Sequence, residues 1–310
     1  MKSYEIQPSR EAESSLESKL ELERSYQTTR RALNETGVLE ILPKKEALGI
    51  VDIDGEEDPI PSYESIRDVI ESNPELKAKV EQGLTELIMT PLAPISILKD
   101  RLERALRRHA KEGKLFASRE NPLGSPTSLL LNTENPIWIW DKFITGEATG
   151  NLVYYPDRFD QKSPGGMTKL ELTRETKRSP FPGWIISLKE PTILLPREGQ
   201  GKVMRGRKQL ENNHTPKEYL DAIKKNQEQG LIIEDWLTSF IRRLHTTNEV
   251  SNDWDQSSAL WLIGNYDKSS DYAPLGRWTR DDRGADVGRY HPGGRGPGWG
   301  ALSAVRVLKT

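Results

Sequence analysis

The amino-acid sequence predicts an α+β protein whose N-terminal part is helical. All eight tryptophans lie at or after Trp138, which divides the chain into two regions of different composition. The first region has apolar residues at the spacing of amphipathic helices, whereas the second places two helices between groups of short apolar strands. Of the 310 residues, 30% are charged and 35% are hydrophobic, so part of the chain is predicted to be an exposed helical or flexible region.

Residues 1–58 are predicted to form a charged helical arm followed by an acidic linker. Leu16, Leu20 and Leu22 lie in a strongly charged helical stretch, and GIVDIDGEEDPIP then interrupts it with acids, Gly and Pro. DIDG is similar to the start of a calcium-binding loop, but the chelating positions beyond Gly55 are missing. A linker is therefore preferred over a metal site.

Residues 59–120 are predicted to form a helical accessory region. Two apolar faces carry this prediction, the second beginning after Pro94; their residues are Ile66, Val69, Ile70, Leu76, Val80, Leu84, Leu87 and Ile88, then Leu98, Leu102 and Leu106. The basic run 101–114 is interpreted as a solvated helix face, with a nucleic-acid or membrane contact as the alternative. His109 in that run is predicted to be a surface residue.

Residues 121–310 are predicted to form an α+β domain. The strand candidates in chain order are SLLL, PIWIW, NLVYY, PGWIISLK, TILLP, SSALWLIGNY and SAVRVL. Between them, one helix should begin at Thr215, with Pro216 in its first position and Glu218 completing a capping box. A second helix places Trp236 and Phe240 on one face. Both helices should pack beneath the sheet, and SLLL or PIWIW should pair near SAVRVL.

Sequence motifs for catalysis and metal binding are missing. The chain has no Cys, its four His are scattered, and neither H-E-x-x-H nor G-x-S-x-G nor a phosphate-binding P-loop occurs. Asp141 and Asp157 lie beside aromatic residues and could be catalytic, but a hydrogen-bonded position at a strand end is preferred. We therefore expect no enzyme activity, no metal and no cofactor; an enzyme that does not use Cys is the least favoured alternative.

The stretch Gly276–Leu308 differs in composition from the rest of the chain. From Ser269 to Leu308 there is no Lys, Glu, Gln or Met, although many Arg, Asp and Gly residues occur. One interpretation is a flexible Arg/Gly-rich tail that binds RNA. The apolar strands LWLIG and SAVRVL on either side and four interspersed Asp residues favour a folded, loop-rich surface instead.

The motifs of the C-terminal part resemble those of a known protein family. LWLIGNY, G-x-W at Gly276 and Trp278, and the closing A-V-R-V at residues 304–307 resemble the C-terminal part of the variable proteins of diversity-generating retroelements, which have a C-type lectin fold. In that family, adenine replacement in AAC-type codons leaves codons that cannot encode Lys, Glu, Gln or Met. The resemblance implies a C-type-lectin-like domain over 121–310 with a diversified segment at 270–308. The superfamily includes the formylglycine-generating enzymes, whose chemistry the lack of Cys excludes.

The resemblance further implies a ligand-binding protein with a hypervariable surface on a rigid frame. The expected contact residues are of types that suit protein–protein recognition: Arg277, Thr279, Asp281, Asp282, Asp286, Arg289, Tyr290, His291 and Arg295. Their side chains should point outward together, with intervening glycines forming tight turns. Arg283 and Arg306 are expected instead to pair with the nearby acids.

The expected partner is a protein or other surface macromolecule. The net charge of −2 gives no general attraction to nucleic acid. The chain has no apolar run near eighteen residues and no secretory signal, so we expect no membrane span and a cytoplasmic or virion-associated protein. The N-terminal helices offer a route to oligomers.

Overall fold

The computed structural model of the protein describes residues 10–118, 125–192, 195–253 and 259–308. Helices and strands alternate irregularly along these ranges, and most neighbouring strands are antiparallel, so the α+β class is confirmed. The helices of the described residues are α1 (Arg10–Glu35), α2 (Tyr63–Ser72), α3 (Pro74–Glu81), α4 (Ile95–Lys111), α5 (Asp141–Thr149), α6 (Lys169–Thr176), α7 (Pro216–Lys225) and α8 (Ile233–Thr247).

The strands are short. In chain order they are β1 (Glu40–Leu42), β2 (Ala47–Val51), β3 (Glu57–Pro59), β4 (Glu86–Pro91), β5 (Ile137–Ile139), β6 (Leu152–Tyr154), β7 (Trp184–Lys189), β8 (Val203–Met204), β9 (Arg207–Lys208), β10 (Gln229–Gly230), β11 (Ala259–Trp261), β12 (Asn265–Asp267), β13 (Ala273–Thr279), β14 (Gly284–Tyr290), β15 (Trp299–Ala301) and β16 (Ser303–Arg306). The two largest sheets have the orders β10-β16-β7-β4 and β15-β11-β13-β14-β5.

Local sequence signals fix several helix starts. Thr215 Oγ1 accepts a hydrogen bond from the Glu218 backbone N–H at 3.2 Å, and the Glu218 carboxylate accepts one from the Thr215 N–H at 2.7 Å. The predicted capping box of α7 is therefore confirmed. Asn73 caps α3 without a reciprocal side-chain bond: its side-chain oxygen accepts a hydrogen bond from the Glu75 N–H at 2.9 Å.

The four-stranded sheet lies at the centre of the main core, and α1 and α8 pack against its strand β4. The Ser25 hydroxyl of α1 donates to the Leu87 carbonyl at 3.0 Å. The largest cluster of buried apolar side chains extends from Leu22 to Val307. The predicted N-terminal regions and the predicted C-terminal domain thus share one core.

The five-stranded sheet separates that main core from a smaller one. Along the β13–β14 hairpin, side chains alternate between the two faces. Trp278 and Val287 point into the main core, while Leu275 points to the opposite side, where α7 covers part of the sheet. A Cβ added at Gly276 would lie 2.7 Å from the Trp236 ring of α8, so this position requires the small residue for close packing.

Several predictions in the N-terminal part were wrong. Much of the expected acidic linker forms β2 and β3, where Lys177 of the loop after α6 lies 2.8 Å from Asp52 and 2.6 Å from Asp58. Residues 86–91, which include two of the predicted helical positions, form β4, because their side chains are nearly all buried and the strand pairs with β7. His109 is buried, and its Nδ1 lies 2.8 Å from the Ala105 carbonyl oxygen.

The predicted pairing of the last strand was also wrong. β16 pairs with β7 and β10, while β5, the observed part of PIWIW, pairs in parallel with β14. SLLL contributes only an isolated bridge at Ser128. Of TILLP, residues 193 and 194 lie outside the described residues.

A fully buried lysine joins three parts of the fold. Lys169 Nζ, at the start of α6, lies 2.6 Å from Glu147 Oε1 of α5, 2.5 Å from Glu234 Oε1 of α8 and 3.0 Å from the Ala93 carbonyl. The Tyr154 hydroxyl donates to Glu234 at 2.7 Å. Burial alone would lower the pKa of Lys169, but the carboxylates of Glu234 and Glu147 outweigh it and raise the pKa. The cluster therefore holds a charged lysine inside the core.

The neighbouring Asp235 should make stability depend on pH. It accepts hydrogen bonds from Thr90 Oγ1 at 2.5 Å and from the Ile232 N–H at 2.9 Å, but burial raises its pKa from 3.8 to about 6. A raised carboxyl pKa means that the folded state binds the proton more tightly, so this contribution is present below about pH 4 and is lost as pH rises to about 6.

We expect Asp235→Asn to remove this loss, which is roughly 2–3 kcal/mol between pH 4 and 7. Urea unfolding of the variant and the parent protein across this range would measure the difference. Asp281→Asn, at an exposed position, is the matched control. Parallel pH profiles for the Asp235 variant and the parent would contradict the assignment.

Candidate functional site

The nine predicted contact residues lie on the β13–β14 hairpin and the loop that follows it. Strand pairing places Arg277 opposite Asp286, Thr279 opposite Gly284 and Ala273 opposite Tyr290. At about 3.4 Å per residue, the turn of the hairpin and its open end are roughly 20 Å apart. The nine residues therefore form three groups along one ribbon instead of one patch.

The middle group is a cross-strand ion pair. Arg277 Nε and Nη2 lie 3.2 and 3.0 Å from Asp286 Oδ2. Burial raises the pKa of Asp286, although the Arg277 guanidinium acts in the opposite direction. Trp138 of the edge strand β5 is in register with Asp286 and is 39% exposed. An accessible indole thus lies next to a partly desolvated ion pair.

The group at the hairpin turn is polar. Thr279 Oγ1 donates to Asp282 Oδ2 at 2.9 Å, while Asp281 and Asp282 are exposed. Arg280 Nη2 lies 3.0 Å from Asp253 Oδ2, which fixes the turn to the segment after α8. Thr279 is only 8% exposed, so the prediction that it points outward was wrong: its side chain is enclosed by the turn.

The group at the open end of the hairpin is aromatic and cationic. The Arg289 guanidinium lies 4.7 Å from the Trp140 ring centroid and 5.9 Å from that of Tyr272. Arg289 is nevertheless exposed. His291 Nε2 lies 3.2 Å from Asp271 Oδ2, an ion pair when the imidazole is protonated. Arg295 is exposed in the following loop. Arginine, tryptophan and tyrosine thus meet at an accessible surface.

Tyr290 packs partly against the smaller core. Its ring centroid lies 4.9 Å from that of Trp299 and 6.1 Å from that of Trp261, with both pairs in edge-on geometry. We expect Tyr290→Ala to lower the free energy of unfolding by about 1–2 kcal/mol, because it removes these contacts. His291→Ala, at an exposed position, should change it by less than about 0.5 kcal/mol. Urea unfolding of both variants would test this, and equal losses would contradict it.

Some of the intervening glycines form turns as predicted: Gly293 and Gly298 lie in turns closed by hydrogen bonds from the Gly294 N–H to the His291 carbonyl at 2.8 Å and from the Trp299 N–H to the Gly296 carbonyl at 2.9 Å. These turns do not need a positive φ at glycine, whereas Arg283 in the hairpin turn has a φ of 53°. Gly300 permits close packing, since a Cβ there would lie 2.3 Å from the Asn212 side chain. Arg306 departs from expectation, since its Nη1 lies 3.2 Å from Glu175 of α6 instead of an acid of the closing segment.

Four residues at this surface were not predicted from the sequence. Trp138, Trp140, Asp271 and Tyr272 all adjoin predicted contact residues. Their signal was the local density of aromatics in PIWIW and of Asp and Tyr just before β13. Only the parallel pairing of β5 with β14 brings the first of these segments beside the hairpin.

The described ranges contain no group of three or more His, Asp or Glu side chains arranged to hold a metal ion, and no helix in them is long and apolar enough to span a bilayer. Comparisons with models of known families, with characterised proteins and with solved structures give no match.

Proposed function

We propose that the protein binds a macromolecular ligand, in the first place another protein, through the β13–β14 hairpin and the loop 291–298. The observation that carries this proposal is the stack of Arg289 on Trp140 and Tyr272, which holds an accessible guanidinium over two aromatic rings. Arginine and large aromatic residues supply most of the binding energy at protein interfaces. Their preorganisation on a sheet reduces the entropy lost on binding.

We further propose that this surface is diversified by a retroelement and that the domain is a member of the C-type lectin fold family. The division of burial along the segment supports this. Trp278, Val287 and Ala301 are fully buried, whereas Asp281, Arg289 and Arg295 are exposed. Exposed positions on a fixed frame can vary without loss of the fold.

The encoding DNA tests the retroelement part. We expect a second, imperfect copy of the coding segment for residues 270–308 near a reverse transcriptase gene, differing almost only at adenines. The differences should fall in codons for exposed positions such as Arg289 and Arg295 and spare the Trp278 codon. An absent repeat, or differences spread equally over buried positions, would overturn this part of the proposal.

Binding to a nucleic-acid homopolymer tests the ligand class. Two arginines of the hairpin are already paired, Arg277 with Asp286 and Arg280 with Asp253, which lowers its attraction for phosphates. We expect no retention of labelled poly(U) in gel-shift assays at low salt. Retention that falls steeply with salt and is lost in Arg289→Ala/Arg295→Ala would assign the surface to nucleic acid instead.

A further inference from the structure

A cavity of about 280 Å³ lies between α8 and the end of the four-stranded sheet. Its exposed lining residues include Pro191, Thr246 and Thr247. Its apolar part is formed by side chains of the main core, among them Trp236, Leu231 and Leu260. This volume is close to the lower limit of small-molecule sites and is too small for a protein segment of any length.

The polar wall of the cavity has an excess of positive charge. Lys189 Nζ and Arg242 Nη1 share one carboxylate oxygen, Glu86 Oε1, at 2.7 and 2.5 Å. Arg243, on the same wall, pairs with Glu249. Among the described residues, the two cations Lys189 and Arg242 thus share the single carboxylate of Glu86. The side chain of Arg242 is 23% exposed, and the described contacts of its guanidinium use one nitrogen, Nη1.

Two further observations indicate that polar groups at the cavity lack a favourable partner. Ser239 Oγ, which lines the cavity, is buried and has no hydrogen-bond partner among the described residues. Burial lowers the pKa of Lys189, and the charges of Arg242 and Arg243 lower it further, against the opposing effect of Glu86. A negative group in the cavity would relieve this repulsion.

We infer that the cavity binds a small organic anion, whose carboxylate or phosphate contacts Arg242 and Lys189 and whose apolar body packs on Trp236. The apolar part of the cavity, which we call its floor, and the charged wall lie in one cavity. A single molecule of a few to a dozen heavy atoms can therefore contact both. The Trp236 Nε1–H is held by Asn252 Oδ1 at 2.9 Å, which fixes the plane of the indole. This site does not depend on the proposed function of the hairpin.

Benzoate and phenyl phosphate are suitable probes, with benzamide as the uncharged analogue. At about 10 mM ligand we expect one or both anions to raise the melting temperature and benzamide to bind at least tenfold more weakly in titration calorimetry. Preference between the two anions distinguishes a carboxylate from a phosphate ligand. No binding by either anion, or equal binding of benzamide, would overturn the inference.

Variants locate the binding. Arg242→Met should weaken anion binding at least tenfold and leave benzamide unaffected, because it removes the excess cation but not the apolar floor. Ser239→Leu should fill the cavity and abolish binding of all three probes without lowering the melting temperature, since the hydroxyl it removes is unpaired. Arg178→Met, at an exposed arginine after α6, is the matched control and should bind as the parent does. Anion binding that survives Ser239→Leu would place the probe elsewhere and refute the site.

Discussion

Replacing Lys169 with methionine should lower the free energy of unfolding by about 3–5 kcal/mol. The substitution keeps most of the volume of the side chain but leaves Glu147 and Glu234 buried without their cation; Lys169 and Glu234 have no exposed side-chain surface, and Glu147 has 4%. A buried, unpaired carboxylate is strongly destabilising because nothing replaces its lost hydration. Urea unfolding at neutral pH measures the effect.

Two comparisons separate charge from packing in this experiment. Lys114→Met removes an exposed lysine, 57% accessible and paired with Glu112, and should change stability by less than about 0.5 kcal/mol. Adding Glu147→Gln and Glu234→Gln to Lys169→Met should recover part of the loss, since these three positions then carry no buried charge. A loss below about 1 kcal/mol in the single variant would show that water reaches the carboxylates and that the cluster is not sealed.

Trp278→Ala is expected to have a comparable effect, about 3–5 kcal/mol, for a different reason. The indole is fully buried in the main core, on the face of the five-stranded sheet opposite to Arg277. Its removal leaves a cavity that the paired strands β13 and β14 cannot close by moving. Thermal and urea unfolding of the variant would show the loss.

Trp138→Ala is the matched control on the same sheet. This indole is 39% exposed, and its truncation should lower the free energy of unfolding by no more than about 1 kcal/mol. If the proposed surface binds protein, Trp138→Ala should weaken binding, whereas Trp278→Ala should act through folding alone. Equal stability losses for the two tryptophans would refute the assignment of Trp278 to the core and of Trp138 to the accessible surface.

The features predictable from the sequence were local ones. The α+β class, the capping box at Thr215 and the strands in PIWIW, WIISLK and SAVRVL depend on periodicity and on contacts a few residues apart. The helical spacing of Leu98, Leu102 and Leu106 likewise identified a real buried face, that of α4. Such patterns depend on residues that are close in sequence, so they can be recognised without knowing which distant segments pair.

Pairing between distant segments could not be predicted in the same way. Leu87 and Ile88 fit a helical pattern, but both are buried in β4 through pairing with β7, almost a hundred residues later. Nothing in the sequence indicates that Glu147, Lys169 and Glu234 are in contact, because the three helices that bring them together are far apart in the chain. At the candidate site, the neighbours Trp138 and Trp140 were missed because β5 joins β14 across an even longer stretch of the chain.

The order of strands in the central sheet also constrains how the chain acquires its structure. β7 lies between β4, which precedes it, and β16, from which residues 190–302 separate it. While the chain is being synthesised, one edge of this fully buried, mostly apolar strand has no partner until β16 has emerged from the ribosome. Long-range pairing of this kind slows folding and exposes an aggregation-prone edge in the meantime. Production of soluble protein should therefore benefit from low temperature, which weakens the association of apolar surfaces, or from a chaperone that shields β7.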